Sequence, residues 1–261
     1  GDANTAVGRD ALVSNTTANN NTAVGKDSLK ANTTGASNTA VGFNSLPANT
    51  TASGNVAIGD DSLQKNTTGA CNVAVGQNSL RCNTSGGFNV AVGKSALTAT
   101  TTGNGNTAVG YNSLSAITTA TCNTAVGHNS LEALTTAEYT VGIGHKSGVG
   151  VTTGACNTLI GNYAGYNLTT GYRNIAIGTN PQFSSVSACG QNVIGYDEVG
   201  KGDNTSFLDG SSGVFNKSNS TTWNQTSDRR IKKNIVDNTT GLEKITQIQV
   251  RNFEYRTLDE I

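Results

Sequence analysis

The chain has 261 residues, with 17 basic and 17 acidic side chains, 32 glycines and two prolines, so its formal net charge is zero. That balance leaves neither the basic footprint of a nucleic-acid binder nor a polybasic membrane patch, and no apolar run approaches the roughly 20 residues of a membrane-crossing helix. A hydrophobic content of 35% with 5% aromatic residues is thin for a conventional globular core, yet the apolar residues recur too regularly for a disordered chain.

The regularity is a strict repeat that begins at the N-terminus. The pentapeptide "NTAVG" and its variants close on Gly8, Gly25, Gly42, Gly59, Gly76, Gly93, Gly110, Gly127, Gly144, Gly161, Gly178 and Gly195, always 17 residues apart. Twelve repeats without an insertion imply a solenoid, because one extra residue would displace every ladder contact above it. The invariant glycine fits a turn that needs positive φ or leaves no room for a Cβ.

Within each repeat, Val or Ile precedes the glycine, and Ala precedes that residue in nine of the twelve, as in Ala6-Val7, Ala57-Ile58 and Ala176-Ile177. Neighbouring residues on a strand face opposite ways, so both faces of this strand are apolar. A narrow coil covers only one of them, which makes a second copy of the chain the simplest cover for the other. A leucine eight residues after the asparagine, from Leu12 to Leu131, completes the coil interior; Gly148, Gly165 and Gln182 replace it later, where different packing is expected.

A second ladder comes from "NTT", as at Asn15-Thr16-Thr17, Asn32-Thr33-Thr34 and Asn66-Thr67-Thr68. Stacked Asn and Thr side chains can satisfy corner backbone groups along the stack. The same tripeptides read as glycosylation acceptors that the repeat generates automatically. The residue after each glycine varies freely, as an exposed turn does. Phe43, Tyr111, His128, His145 and Tyr196 in that column are candidate contact residues for a weak, multivalent ligand. His128 and His145 stand one repeat apart, but the variability of their column argues against a metal site.

Cys71, Cys122 and Cys156 share a column at separations of about 14 and 10 Å, too far for disulfides, which need Cα atoms within about 7 Å. Free thiols fit assembly in a reducing cytoplasm. No phosphate loop, metal-spaced His/Cys cluster or Ser/His/Asp arrangement is visible, so no cofactor, no metal and no activity on foreign substrates is expected.

The pattern "NTAVG...SL..NTTG..NTAVG" over about Asp2 to Gly200 resembles the head repeats of trimeric autotransporter adhesins, and more closely their longer-period counterparts in phage and viral tail fibres. The resemblance implies a mainly β fold: a homotrimeric, left-handed parallel β-roll with 17-residue coils over residues 1–200. A small β-structured neck over 201–226 follows, where Phe207, Leu208, Val214, Phe215 and Trp223 lie between glycine and serine turns.

Composition changes abruptly after the neck, since 13 of the 34 charged side chains fall in the last 35 residues. "SDRRIKKNI" and "GLEKITQIQVRNFEY", spanning Ser227 to Tyr255, resemble the start of the self-cleaving intramolecular chaperone of phage endosialidases and tail spikes. A short α+β segment over 227–261 is expected, with Asn238 or Thr239 capping a helix over 241–248. The resemblance implies cleavage between Thr226 and Ser227, with Ser227 as nucleophile and Lys232 as its general base. A serine hydroxyl needs such a base, and Arg229, Arg230 and Lys233 are like-charge neighbours that would lower a lysine pKa.

Taken together, these features read as a trimeric viral or phage tail fibre assembled in the host cytoplasm. Its partners would be other virion tail proteins and a glycan or protein receptor on the host cell. A bacterial trimeric adhesin head at the cell surface is the alternative, and an ice-binding solenoid the third reading. For the last, adjacent threonines present only one outward hydroxyl per coil.

Overall fold

The computed structural model describes residues 1–208, 214–217 and 224–225. The chain divides into two units, Gly1–Thr226 and Ser227–Ile261. The second lies outside the described residues, and with it the expected helix over 241–248, Ser227 and Lys232.

The first unit carries one three-residue strand per repeat: β1 (Thr5–Val7), β2 (Thr22–Val24), β3 (Thr39–Val41), β4 (Val56–Ile58), β5 (Val73–Val75), β6 (Val90–Val92), β7 (Thr107–Val109), β8 (Thr124–Val126), β9 (Val141–Ile143), β10 (Thr158–Ile160), β11 (Ile175–Ile177) and β12 (Asn192–Ile194). Each pairs in parallel with the next at a register of one repeat, for example Ala57 with Ala74 and Ile58 with Val75. The chain is therefore a parallel β-solenoid with 17-residue coils, and no α-helix occurs among the described residues. After β12 the step shortens: β13 (Thr205–Leu208) is still parallel, with Val193 opposite Phe207, and β14 (Val214–Lys217) and β15 (Asn224–Gln225) turn back antiparallel.

The coil is so narrow that backbone geometry dictates much of the sequence. At Gly76, φ is +131°, and an added Cβ would lie 2.6 Å from the carbonyl carbon and oxygen of Gly93. Stacked glycine turns thus press backbone on backbone, which explains the unbroken glycine column. Two residues further on, the chain enters the left-handed region at Asp10, Asp27, Asn44, Asp61, Asn78, Asn112 and Asn129, with φ between +52° and +60°. Asn and Asp dominate this column because their short polar side chains tolerate that conformation best after glycine.

The core leucines occupy the same left-handed region. From Leu12 to Leu131, all eight have φ between +48° and +53°, a conformation that costs a residue with a Cβ roughly 1–2 kcal/mol. Full burial of a leucine contributes roughly 1.5–3 kcal/mol, so packing offsets the strain. Where leucine disappears, Gly148 and Gly165 keep the same backbone, at φ +57° and +62°. The lost volume returns from other columns. Leu159 takes an alanine position, and its Cδ1 would stand 2.5 Å from a Cβ on Gly148; Phe183 closes on Gly165 in the same way. The interior is thus refilled, with Leu159 and Phe183 at most 1% exposed.

Two asparagine ladders line the interior, and they are not equivalent. In the ladder before the strands, Asn55 Oδ1 accepts from the Asn72 backbone N–H at 2.9 Å, while Asn72 Nδ2 donates to the Gly86 carbonyl at 2.9 Å. In the "NTT" ladder, Asn83 Nδ2 donates to Asn66 Oδ1 at 2.8 Å and to the same Gly86 carbonyl at 2.9 Å. The second donation is redundant. That ladder accordingly gives way to Thr100, Ile117, Leu134, Val151 and Leu168, all fully buried, while the first keeps Asn as far as Asn123 and resumes at Asn157.

The switch leaves a flaw: Asn83 Oδ1 and Thr100 Oγ1 are both buried without a hydrogen-bond partner. Thr100→Asn should extend the ladder by one rung and stabilise the fold by about 1 kcal/mol, since it satisfies a buried acceptor. Chemical denaturation would register this as a higher midpoint at constant slope.

Candidate contact surface

The turn that follows the glycine column carries the sequence-predicted contact residues. Tyr111, His128 and His145 stack on successive coils, with ring centroids 5.2 and 5.3 Å apart. Two rings that their spacing did not announce extend the stack: Tyr163 sits edge-on to His145 at 5.3 Å, and Tyr166 edge-on to Tyr163 at 6.2 Å. Tyr163 lies one residue past the column, in the left-handed column with φ +53°, which swings its ring back over the stack. Lys146 Nζ approaches the Tyr163 ring at 5.4 Å. The result is a five-ring ladder whose first members meet nearly face to face, so their edges and polar atoms, rather than their faces, meet solvent. Such a surface favours hydrogen bonding over ring stacking with a ligand.

Phe43 and Tyr196 belong to the same column but stand apart from this ladder. Phe43 is half exposed beneath Lys26 Nζ at 5.1 Å, and Tyr196, at 74%, is the most exposed large hydrophobic side chain among the described residues. The column is therefore one aromatic ladder with isolated rings toward either end. The charges of the first coils gather on the same side: Lys30 bridges Asp27 at 2.9 Å and lies 3.9 Å from Asp10. The Lys30 hydrogen bond holds the Asp27 carboxyl below its ordinary value. Such surface pairs contribute little to stability, and they mark this side as solvated.

The opposite situation holds on the outer face of the sheet. Alanine faces the interior in nine of the strands and is fully buried from Ala23 to Ala125, while the residues on either side of it point out of the coil. The residue before the glycine is Val or Ile in all twelve strands, and the outward residue two positions earlier is Thr, Val, Ile or Asn. No charge occurs in either column. With strands about 4.8 Å apart, this aliphatic ladder runs for about 55 Å. Both columns lie partly open to solvent, Val7 at the end to 57%.

The threonines form a third stripe. Thr33, Thr67 and Thr84 each donate their hydroxyl to the carbonyl one repeat on, at 3.0 to 3.1 Å. Their neighbours Thr34, Thr68 and Ser85 are exposed, so one free hydroxyl column faces solvent. The asparagines of "NTT" are fully buried at Asn32, Asn49, Asn66 and Asn83, which rules them out as glycosylation acceptors in the folded coil. Cys71, Cys122 and Cys156 are free and exposed. At the far end, the Cys189 backbone N–H holds the Asp203 carboxyl below its ordinary value, and desolvation pushes the Cys189 thiol up, away from nucleophilic chemistry.

Among the described residues no group of three or more His, Cys, Asp or Glu side chains is placed to hold a metal ion, and no helix is long and apolar enough to cross a membrane. Comparison with protein-family models, with curated proteins and with solved structures gives no match.

Proposed function

We propose that the chain is the shaft and receptor-contacting segment of a homotrimeric viral or phage tail fibre, built as a left-handed β-roll. In this reading a C-terminal chaperone drives trimer folding and releases itself before Ser227. The observation that carries it is the outer sheet face: twelve β-branched residues in one uncharged column, half-covered in a single chain. Three copies around a common axis give each such face a cover and close the assembly without leaving an open apolar surface. The aromatic ladder from Tyr111 to Tyr166 lies on the solvated turn side, where it is free to meet a host glycan or protein. The same face would serve a bacterial adhesin head; the charged, chaperone-like segment from Ser227 onward favours the fibre.

Light scattering tests the assembly. The expected mass is three times that of the chain in the same sample, 26.6 kDa when uncleaved and less once the segment from Ser227 is lost, and a monodisperse monomer overturns the reading. Self-cleavage has its own test in the intact mass of the full gene product. Loss of everything from Ser227 onward in the parent, but not in Ser227→Ala, is the expected result; equal intact masses refute cleavage.

A further inference from the structure

The corner that precedes each strand holds a column the strand face does not explain. Phe88 and Tyr139 stand there at φ +59° and +56°, and they are 70% and 61% exposed. A bulky residue in the left-handed region is an outlier in its own right, and in a single chain no burial of the ring offsets that strain. Other coils solve the same corner with Gly54, Gly105, Ser37 or Asn20. The two aromatic corners precede strands whose outward positions are wholly aliphatic, as Gly54, Cys71 and Arg173 also do: Phe88 precedes Val90 and Val92, and Tyr139 precedes Val141 and Ile143. Across the twelve coils, Arg173 is the one charged residue in the corner column.

We infer that Phe88 and Tyr139 are anchors for a second copy of this chain, and that the corner column forms the outer half of the interface between copies. The inference rests on the trimer reading above and names which residues beyond the strand face make the contact. Interface size points the same way. A strip three residues wide and about 55 Å long covers about 550 Å², below the roughly 800 Å² per partner of a stable complex. Including the corner residue, which the buried asparagine links to the strand, widens the footprint to about 16 Å and about 900 Å². Large exposed aromatics near the middle of an otherwise small-residue strip are the kind of anchor that dominates such interfaces. The coils that bear them lie three repeats apart on one face, so one partner can cover both.

The exposed thiols supply a built-in readout. Cys71 lies one coil before Phe88, and Cys122 and Cys156 flank Tyr139 in the same column. If a second copy covers this corner, maleimide should label these three at least tenfold more slowly in the native assembly than in urea, as mapped by mass spectrometry. The double variant Phe88→Ser/Tyr139→Ser, whose serines match Ser37 in the same column and conformation, should keep the far-UV spectrum. It should dissociate at a protein concentration at least tenfold higher than the parent, with faster thiol labelling. A parent trimer whose three thiols label at the unfolded rate, or a variant trimer of unchanged dissociation, overturns the inference and leaves the trimer standing. A monomeric parent overturns both. Should the variant fail to fold, thiol protection in the parent decides alone.

Discussion

Gly76→Ala is expected to cost on the order of 3 kcal/mol or more, while Gly54→Ala, in the same solenoid, costs about 1 kcal/mol. Both glycines have positive φ, +131° and +72°. The difference lies in what the new methyl meets. At Gly54 the nearest atom is Cys71 Sγ at 3.5 Å, an ordinary contact at the tip of an exposed side chain. At Gly76 it is the backbone of Gly93, at 2.6 Å. A backbone cannot rotate aside, and Gly93 is itself stacked on Gly110 in the same way. Relief at one coil therefore requires the next to shift. Gly76 is also a poor site for any L-residue because +131° lies outside even the left-handed helical well. Urea unfolding of the two variants beside the parent measures the contrast. Equal midpoints for Gly54→Ala and Gly76→Ala would mean that the stack relaxes, and that neither the close backbone approach nor the φ of Gly76 sets the glycine column.

The period and the parallel stacking of one coil per repeat were readable from spacing, because a repeat of fixed length leaves height along the stack as the only free variable; that alanine is the side of the strand that faces inward was not. What spacing does not encode is direction around the coil. Tyr163 is a residue away from the His128–His145 column in sequence, yet it joins that stack because its own left-handed backbone turns the ring back. Leu159 is equally hidden. It reads as a departure from the alanine pattern, and only the glycines at 148 and 165 on the facing wall show that it fills their space. The eight leucines carry positive φ, which no sequence rule assigns to leucine; the signal was present only indirectly, in the glycines that replace them at the same height. The two asparagine ladders looked alike in sequence. Their different fates follow from a shared acceptor, the carbonyl that both amides reach, so one ladder can be lost while the other keeps the corner satisfied. For the proposed contact ladder, Tyr111, His128 and His145 were legible as a column, while its extension to Tyr166 required the coil geometry.

Val109→Asp should convert the proposed trimer to a monomer without unwinding the coil. Val109 pairs in register with Val92 on one side and Val126 on the other, all three on the outward side of the sheet. Inside one chain the substitution removes a partly exposed methyl pair and leaves the alanine and leucine core untouched, so far-UV circular dichroism should persist. Across a threefold axis the same change brings three carboxylates into an apolar seam at one height. A single buried charge without a partner is already unfavourable by several kcal/mol, and three like charges cannot neutralise one another. Dissociation is favoured even if water enters the seam, because the neighbouring valines above and below would then lose their cover as well. Gln77→Asp, on the charged turn side, supplies the control: it adds the same charge where Asp60 and Lys94 already lie in the same column, and it should leave the mass unchanged. A Val109→Asp protein that still sediments as a trimer of parental stability would show that the outer sheet face is not where the copies meet, and would point to the hydroxyl stripe of Thr34 and Thr68 instead.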